Sequence, residues 1–563
     1  MIRKVSADQA YQVFKQDPSI KLTTEQVDAV ENAATDWPSL VVAGAGSGKT
    51  ELMATRVVWL VANGICKPEQ VLGLTFTRKA ASELSRRINN ALTELSKSDL
   101  WPLDSTDFAS PNITTYNSYA NTLYRDYALS LGYEDDATLL SEAGRYQLAR
   151  EVVLRYGEEI DPRLVEADLS INQVVEGVLT LASAMNDHGA NAVDIDEVIA
   201  RLYNDIATLP AGRAKVTPER PIGSTLLGLI EGALHTPMLA KLAQGFIEEK
   251  RRRGYIDFSD QVALADRAVH ELGETVRLRE TAQYEQVLLD EYQDTSTLQT
   301  RLLAGLYAGR SVFAVGDPNQ SIYGWRGASA SNLGDYLDTF GTKERSVRQF
   351  PLTTSWRNPK VVLDLANVIL EPLSHQAGFL SGRPKLAEVD VRPLQAPGHA
   401  SEGEITVKFA ERTDLEAKFV ADWLKSNLQV SEGKRAPTAA VLMRSRALMS
   451  SFENELREAG LQVEVVGVGG LLESPEVVDL IAALRVIHYP SAGANLMRLL
   501  AGPRWQVEPK DLERLARYSR SLAKFWSRDS SRVSGAEAEA SIVTSPPATE
   551  PVPCTVNGRA AAP

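Results

Sequence analysis

The sequence predicts an α/β fold built around a parallel sheet, and three observations support this prediction. An apolar strand at 41–43 enters a glycine loop and then a helix, Glu51 to Asn63. A second buried strand, Val71 to Thr77, leads into another helix, and apolar strands recur at 286–291 and 312–317. Strands that alternate with helices pair in parallel through right-handed crossovers. We therefore expect one parallel sheet with crossover helices.

Composition limits the class of protein. The chain has 563 residues, enough for about four domains of ~150 residues each. A net charge of −13 argues against a generally basic surface, so any nucleic acid must be held at a local site. With two distant cysteines, Cys66 and Cys554, and six scattered histidines, we expect neither a disulfide framework nor a structural metal site. The lack of a signal peptide or of ~18 consecutive apolar residues predicts a soluble, cytoplasmic protein with no membrane contact.

We predict six segments along the chain. The sheet domain begins at 1–116, is interrupted by a mostly helical insertion at 117–272, and resumes at 273–348. A partial second α/β domain, the start of a second helical insertion and a disordered tail follow at 349–489, 490–527 and 528–563. The tail is predicted because it has no aromatic residue and is rich in Ala, Ser, Pro, Thr and Glu.

The second α/β domain is predicted to open with a strand at 350–353. Its further strands are expected at Ile405 to Phe409, Ala439 to Met443 and Val463 to Val466. Helical spacing of apolar residues predicts helices at 414–428 and 447–459.

The glycine loop is typical of a phosphate cradle. Its residues are Ala43, Gly44, Ala45, Gly46, Ser47, Gly48, Lys49 and Thr50. Glycines let successive N–H groups point at phosphate oxygens, and the following helix adds the positive end of its dipole. Lys49 would reach the outer phosphates and the Thr50 hydroxyl would hold Mg2+. Because Ala43 takes the first glycine position of the general G-x-x-x-x-G-K-[ST] pattern, a chance glycine-rich turn is the alternative.

Two carboxylates end the strand at 286–291, at the edge of a parallel sheet where ligands bind. Asp290 would hold Mg2+, and Glu291 would orient and deprotonate the water that attacks a γ-phosphate. The alternative is an acidic strand end that caps a neighbouring helix.

The order of these patterns resembles the UvrD/Rep/PcrA branch of superfamily 1 DNA helicases. The resemblance runs from Leu22 to about Arg357, continues more weakly to about Leu515, and also rests on Leu74 to Ala81, Thr115 to Tyr119 and Gly316 to Ala328. It implies a P-loop RecA-like sheet domain with a helical insertion, followed by an incomplete second RecA-like domain. In this family an alanine at the position of Ala43 is usual.

The resemblance implies roles for residues around ATP. Gln26 would read adenine, and Trp356, in place of the family's usual tyrosine, could stack on it. Gln320 would sense the γ-phosphate. Arg357 would reach across from the second domain and stabilise charge in the transition state. Lys49, Asp290, Glu291, Gln320 and Arg357 thus form the predicted catalytic set.

The resemblance also implies single-stranded or duplex DNA as a partner. The predicted DNA-contacting residues are Thr75, Phe76, Thr77, Tyr116, Tyr323, Trp325 and Arg326. Bases stack on aromatic rings at about 1–3 kcal/mol per base with little sequence preference. The alternative for each aromatic residue is packing in the core. The run Glu248 to Arg253 allows two interpretations, a contact with the phosphate backbone or a solvated helix end.

Three departures from the family pattern qualify the prediction. Glu51 stands where many relatives have arginine, and Asn117 where many have histidine. The third departure lies at the end of the chain.

The segments at 470–476 and 501–505 resemble helicase-nuclease subunits of the AdnB and RecB kind, which implies a second subunit as partner. No segment resembles the family's late motifs or a nuclease domain, so we expect a chain that is truncated or frameshifted near residue 528.

Two functions follow from these patterns. The first is an ATP-dependent 3′→5′ DNA helicase and translocase that acts in DNA repair or recombination. The second is a truncated ATP- and DNA-binding remnant or non-motor subunit with little helicase activity. An unrelated P-loop recombination ATPase is a remote third interpretation, because it would not account for the motif at 323–328.

Overall fold

A computed structural model describes most of the chain. The described residues are 5–15, 20–103, 107–134, 136–166, 169–208, 226, 230, 232–324, 328, 332–342, 346–380, 389–428, 437–466, 474–489 and 492–533. The chain divides into two compact units, Met1–Thr406 and Val407–Pro563. Within the described residues, no helix is both long and apolar enough to cross a membrane.

Six strands of the first unit form one parallel sheet in the part of the chain that the structure describes, with the order β3-β2-β6-β7-β1-β8. The strands are β1 (Ser39–Ala43), β2 (Val71–Thr75), β3 (Asn112–Thr115), β6 (Gln286–Leu289), β7 (Val312–Gly316) and β8 (Arg348–Leu352). Two short strands outside the sheet, β4 (Thr138–Leu139) and β5 (Tyr255–Ile256), pair with each other. The predicted parallel sheet is confirmed.

The strand predicted at 350–353 forms as β8 and joins this first sheet, where it pairs with β1. Phe350 and Leu352 are buried in the same apolar layer as Val41. Its apolar residues predicted a strand but could not say which sheet the strand would join. The domain boundary at 349 stays a prediction, and the compact unit extends to Thr406.

Apolar residues on alternate positions of the strands face two layers of helices. Leu40 and Ala314 contribute to the layer on one face, and Val41 and Val315 to the layer on the other. Because strands covered on both faces read as continuous apolar runs, β1 is buried at every residue. The first helices of the unit are Ala7–Lys15 (α1), Thr24–Asn32 (α2), Lys49–Ala62 (α3), Arg78–Ser96 (α4) and Tyr116–Tyr127 (α5).

The segment predicted as a helical insertion is mostly helical where the structure describes it. Its further helices are Glu142–Ile160, Arg163–Glu166, Ile171–His188, Ala192–Thr208, Thr236–Arg252 and Phe258–Glu271. Several of these helices pack around an apolar cluster of their own, separate from the layers on the sheet. The first unit continues with helices Glu274–Gln283, Thr297–Tyr307, Asn332–Phe340 and Lys360–Leu380.

The basic run at 248–253 is largely paired with acidic side chains. Lys250 is buried and contacts Asp257 and Asp260. Arg252 and Arg253 both pair with Glu249. These ion pairs favour the interpretation of the run as a helix end and not as a contact with the phosphate backbone.

In the described residues of the second unit, the regular elements are all helices. Its helices are Thr413–Asn427, Met449–Glu458, Pro475–His488, Gly493–Ala501 and Pro509–Val533. The predicted helices at 414–428 and 447–459 are therefore confirmed to within two residues. The first residues of the predicted disordered tail, 528–533, are helical, and 534–563 lie outside the described residues.

The strands predicted at 405–409, 439–443 and 463–466 are wrong: these described residues belong to no helix or strand. Phe409, Leu442 and Val466 have side chains between 85% and 94% exposed. An apolar run with strand propensity becomes a strand only when a neighbouring strand pairs with it, and propensity alone does not supply that neighbour.

Candidate functional site

The glycine loop lies at the carboxyl end of β1, between β7 and β8. Gly46 and Gly48 have φ of 79° and 86°, in the left-handed region that favours glycine. Ser47 closes the turn, because its backbone N–H and its hydroxyl both donate to the Gly44 carbonyl. Gly48 begins α3 without a side-chain cap. The first N–H groups of α3 are therefore available to an anion.

Lys49 and Glu291 form an ion pair at this loop, with 2.7 Å between Lys49 Nζ and Glu291 Oε2. Lys49 is the first residue of α3, and Glu291 follows the end of β6. Glu291 has a φ of 47°, unusual for a residue other than glycine. Such strain is often found at functional sites, where the surrounding structure maintains it.

Asp290 is buried beside this pair. Its backbone N–H donates to the Leu74 carbonyl, and a carboxylate oxygen accepts from the Thr75 hydroxyl at 3.2 Å. Burial, with a contribution from the negative charge of Glu291, raises the pKa of Asp290 to about 6. Burial and the same charge raise the pKa of Asp294 to about 6.

These residues fit a bound Mg2+. Thr50 lies in the first turn of α3. Asp290 directly follows β6, at the carboxyl edge of the same sheet. Asp294 Oδ1 is buried and has no hydrogen-bond partner among the residues that the structure describes, and a nearby cation would offset the cost of burying these carboxylates. Among the described residues no cluster of three or more His, Cys, Asp or Glu could hold a metal alone. Mg2+ held by one or two carboxylates with substrate phosphates does not require such a cluster.

Gln26 also lies against the glycine loop. Thr23 and Gln26 form a capping box that fixes the start of α2. The Gln26 Nε2 amide donates to the Ser47 carbonyl at 3.2 Å. The predicted adenine-reading residue is therefore beside the loop, at its Gly48 end.

The segment at 355–357 contacts the loop directly. The Ser355 hydroxyl donates to the Ala45 carbonyl at 2.7 Å, and the Trp356 N–H donates to the Gly46 carbonyl at 2.8 Å. A Cβ at Gly46 would lie 2.7 Å from Arg357 Cβ, so glycine is required there for a second reason. The Trp356 side chain is about half exposed. The predicted Trp356 and Arg357 thus lie at the loop, in the first compact unit.

Hydrogen bonds lead from Glu291 to the start of the family motif at 316–328. Gln293 Nε2 donates to Glu291 Oε2 at 2.9 Å, and Gln293 Oε1 accepts from the Asp317 N–H at 2.9 Å. Gln320 Nε2 then donates to Asp317 Oδ2 at 2.6 Å. Burial raises the pKa of Asp317. Gln320 is thus joined to Glu291 through Gln293 and Asp317.

Two of the predicted DNA-contacting aromatic residues, Phe76 and Tyr323, contact each other. The rings of Phe76 and Tyr323 are 4.9 Å apart at 34° to each other, and both residues are partly exposed. Thr77 is exposed, and its hydroxyl accepts from the Ala80 N–H at the start of α4. The predicted Trp325 and Arg326 lie outside the described residues.

Two predicted DNA-contacting residues are buried. Tyr116 is 4% exposed, and its hydroxyl donates to the Asp290 carbonyl at 2.9 Å. Thr75 is fully buried and donates to the Asp290 carboxylate. Both side chains face the interior, and their contact with DNA stays a prediction. Their contacts in the structure support Asp290.

Glu51 is compensated by two cations. Lys15 of α1 and Arg87 of α4 each contact one of its carboxylate oxygens. The acid that replaces the family's usual arginine therefore links three helices.

Comparison with known proteins agrees with this arrangement. The profile of the UvrD/REP helicase N-terminal domain matches residues 22–341, and that of the UvrD-like helicase C-terminal domain matches 350–533. The chain belongs to the UvrD/REP helicase family.

Individual relatives support the family assignment. This UvrD/REP family chain is 24% identical over 502 residues to the ATP-dependent DNA helicase PcrA of Staphylococcus aureus, covering 88% of this chain and 58% of the relative. It is also 24% identical over 503 residues to the protein of the same name from Staphylococcus epidermidis. The chain thus spans 58% of the length of these relatives.

Sequence reasoning did not single out Gln293 and Asp317 in this UvrD/REP family chain. Gln293 follows the two acids after β6, and Asp317 lies in the motif at 316–328 after β7. The sequence feature that could have indicated them is their position. Each is a polar residue just past the carboxyl end of a strand, where side chains from neighbouring strands meet. Which polar residue faces which neighbour depends on the sheet order, and the sequence does not give that order.

Proposed function

We propose that this chain is an ATP-dependent DNA helicase and translocase that moves 3′→5′ along single-stranded DNA in repair or recombination. The observation that carries the proposal is the Lys49–Glu291 ion pair at the end of the glycine loop. It brings a phosphate-binding cation and a candidate base to one point. The family membership supports DNA as the substrate, and the direction and pathway rest on the resemblance alone.

Nucleotide binding would separate the ion pair. The glycine loop and the start of α3 offer N–H groups to the phosphates, and Lys49 would turn from Glu291 to the outer phosphates. Glu291 would then lose its cationic partner and become free to accept a proton from the attacking water. In this sequence of events the substrate itself activates the base.

Thr50 and Asp290 would hold Mg2+, which would neutralise charge on the phosphates. The Thr75 hydroxyl and the Tyr116 hydroxyl fix the Asp290 carboxylate and carbonyl. Arg357 would stabilise charge at the γ-phosphate, and Trp356 would stack on adenine. Both lie in the segment that contacts the loop.

DNA would bind at Phe76 and Tyr323. Their partly exposed rings would exchange their mutual contact for stacking on bases at about 1–3 kcal/mol per base, without reading sequence. Thr77, Trp325 and Arg326 stay predicted neighbours of this strand. The likeness of 470–476 and 501–505 to helicase-nuclease subunits makes a second subunit of that kind the proposed partner.

A DNA-stimulated ATPase assay tests the proposal. We expect single-stranded DNA to raise hydrolysis by the wild-type chain, and we expect Lys49→Ala and Glu291→Gln to abolish that increase. Lys97→Ala is the matched control, because Lys97 is exposed and pairs only locally with Glu94 in the described structure. Hydrolysis by the wild type that does not exceed that of the two variants would overturn the motor function in favour of a non-motor, ATP- and DNA-binding role.

Strand direction needs a separate measurement. Duplexes with a 3′ or a 5′ single-stranded tail would be offered with ATP and Mg2+. Unwinding of the 3′-tailed duplex alone is expected, and preference for the 5′ tail would contradict the proposed direction.

A further inference from the structure

We propose that Gln293 is a positioning residue that couples the hydrolytic end of the site to the aromatic pair Phe76–Tyr323. The inference rests on the proposed function and adds to it the residue through which DNA binding would influence Glu291. Gln293 touches neither of the proposed ligands in this role. It acts through the groups that it holds.

The side-chain amide of Gln293 joins the ends of two adjacent strands. Gln293 is 2% exposed and lies in the short 3-10 helix Tyr292–Asp294 after β6. Its Nε2 donates to Glu291 Oε2 at 2.9 Å, and its Oε1 accepts from the Asp317 N–H after β7 at 2.9 Å. A glutamine can do both at once because its amide carries a donor and an acceptor.

The backbone of Gln293 holds the same neighbouring segment. Its carbonyl accepts from the Ser321 hydroxyl at 3.3 Å. Asp317 caps the 3-10 helix Pro318–Gln320 and accepts from Gln320 Nε2. The segment at 317–321 is thus fixed to Gln293 at both ends, and Tyr323 follows two residues later.

Packing leaves the amide little freedom. A Cβ added to Gly316 would lie 2.9 Å from Gln293 Oε1 and 3.2 Å from Leu333 Cδ2. The glycine on β7 therefore makes the space that the amide occupies. Because the amide is buried and bonded on both sides, displacement of one partner costs a hydrogen bond or moves the other partner.

The position of Gln293 makes it sensitive to nucleotide. Glu291 Oε2 accepts from both Lys49 Nζ and Gln293 Nε2. When Lys49 moves to phosphate, Gln293 still orients this oxygen. A shift of the 317–323 segment on DNA binding would then change the orientation of the base, and a shift of the base would change the segment.

Two substitutions at Gln293 separate the donor from the acceptor. Gln293→Met keeps the volume and removes both hydrogen bonds. Gln293→Glu keeps the acceptor for the Asp317 N–H but places a second negative charge against Glu291. The matched control is Gln286→Leu at the opposite end of β6, where a buried glutamine bonds the Thr35 carbonyl and the Ser311 hydroxyl.

The measurements are hydrolysis with and without single-stranded DNA, the KM for ATP, the Kd for single-stranded DNA, and Tm. For Gln293→Met and Gln293→Glu we expect the stimulation ratio to fall by about 10-fold, within the usual range of coupling between sites, while the Kd for DNA changes less than 3-fold. Gln286→Leu is expected to lower Tm and keep the wild-type ratio.

The outcomes distinguish this inference from the proposed function. If DNA does not stimulate the wild type, the proposed function fails and the coupling role fails with it. If DNA stimulates the wild type and Gln293→Met keeps the full ratio, the coupling role alone is overturned. A ratio that falls equally in Gln286→Leu would also overturn it, because the effect would then report only general destabilisation.

Discussion

Lys49 Nζ lies 2.7 Å from Glu291 Oε2, so the proposed phosphate-binding lysine and the proposed base neutralise each other in the structure. The lysine side chain is 12% exposed and the glutamate side chain 33%, so solvent reaches the pair. The first prediction follows from this contact.

Glu291→Gln removes the base and also releases Lys49 from its ionic partner. We expect DNA-stimulated hydrolysis to fall by about 10²–10⁴-fold, the usual contribution of a general base, while the Kd for ATP stays equal or decreases. Single-turnover hydrolysis and binding of a fluorescent nucleotide measure the two effects. Glu83→Gln, at an exposed pair with Arg87, is the control and should change neither. Weaker ATP binding by Glu291→Gln would contradict the release of Lys49.

Phe76→Ala and Tyr323→Ala should each weaken binding of single-stranded DNA by about 1–3 kcal/mol, the usual value of stacking on one base. Fluorescence anisotropy with a labelled homopolymer measures this, and the loss should be similar for different base sequences. Tyr116→Phe is the matched control. It removes the hydroxyl that donates to the Asp290 carbonyl and should cost about 1 kcal/mol of stability without changing DNA affinity. Weaker DNA binding by Tyr116→Phe would show that this hydroxyl takes part in DNA binding.

Lys250→Met should destabilise the protein strongly. Lys250 Nζ lies 2.7 Å from Asp257 Oδ2 and 2.6 Å from Asp260 Oδ2, and its side chain is 2% exposed. Removing the lysine leaves two buried carboxylates without their cation, which typically costs 3–5 kcal/mol, so we expect a loss of about 3 kcal/mol or more in urea unfolding. Arg252→Met, at the exposed part of the same run, should change stability little, because ion pairs of exposed side chains are screened by solvent. Weaker DNA binding by Arg252→Met would restore the phosphate-contact interpretation of this run.

Asp187 gives the insertion a pH dependence. Burial, with the negative charge of Asp257, raises the pKa of Asp187 to about 6, against an opposing effect of Arg145. Because the folded state then holds the proton more tightly than the unfolded state, this contribution to stability is full below pH ~4 and is lost as the pH rises through about 6.

Asp187→Asn removes the carboxylate that must ionise. We expect the variant to be more stable than the wild type by about 1–2 kcal/mol at pH 7.5, after allowance for partial exposure, and to gain little at pH 4. Urea unfolding at the two pH values measures the difference. Asp196→Asn, on an exposed position of the helix Ala192–Thr208, should change stability little at either pH. An equal gain for Asp187→Asn at both pH values would contradict the titration.

Local patterns sufficed to predict the centre of the first unit. The apolar run of β1, the glycines before Lys49 and the acids after β6 are signals within single segments, and each formed where it was predicted. Positive φ at Gly46 and Gly48 shows why glycine occupies those positions.

Features that depend on distant partners could not be predicted. Tyr116 is an aromatic residue at the start of a helix, and only the position of Asp290 decides that it is buried. The same holds for β8, whose place beside β1 depends on sheet order. At 439–443 the apolar residues predicted a strand, but a strand needs a hydrogen-bonded neighbour as well as propensity.

Gly316 shows how a mutation could act on the site through packing alone. It is the last residue of β7, and the space above it holds the Gln293 amide. A single methyl group added there would press on that amide and, through it, on the proposed base. Such a methyl group would act as a permanent, non-competitive inhibitor. Because it is buried in the sheet, no added ligand could displace it.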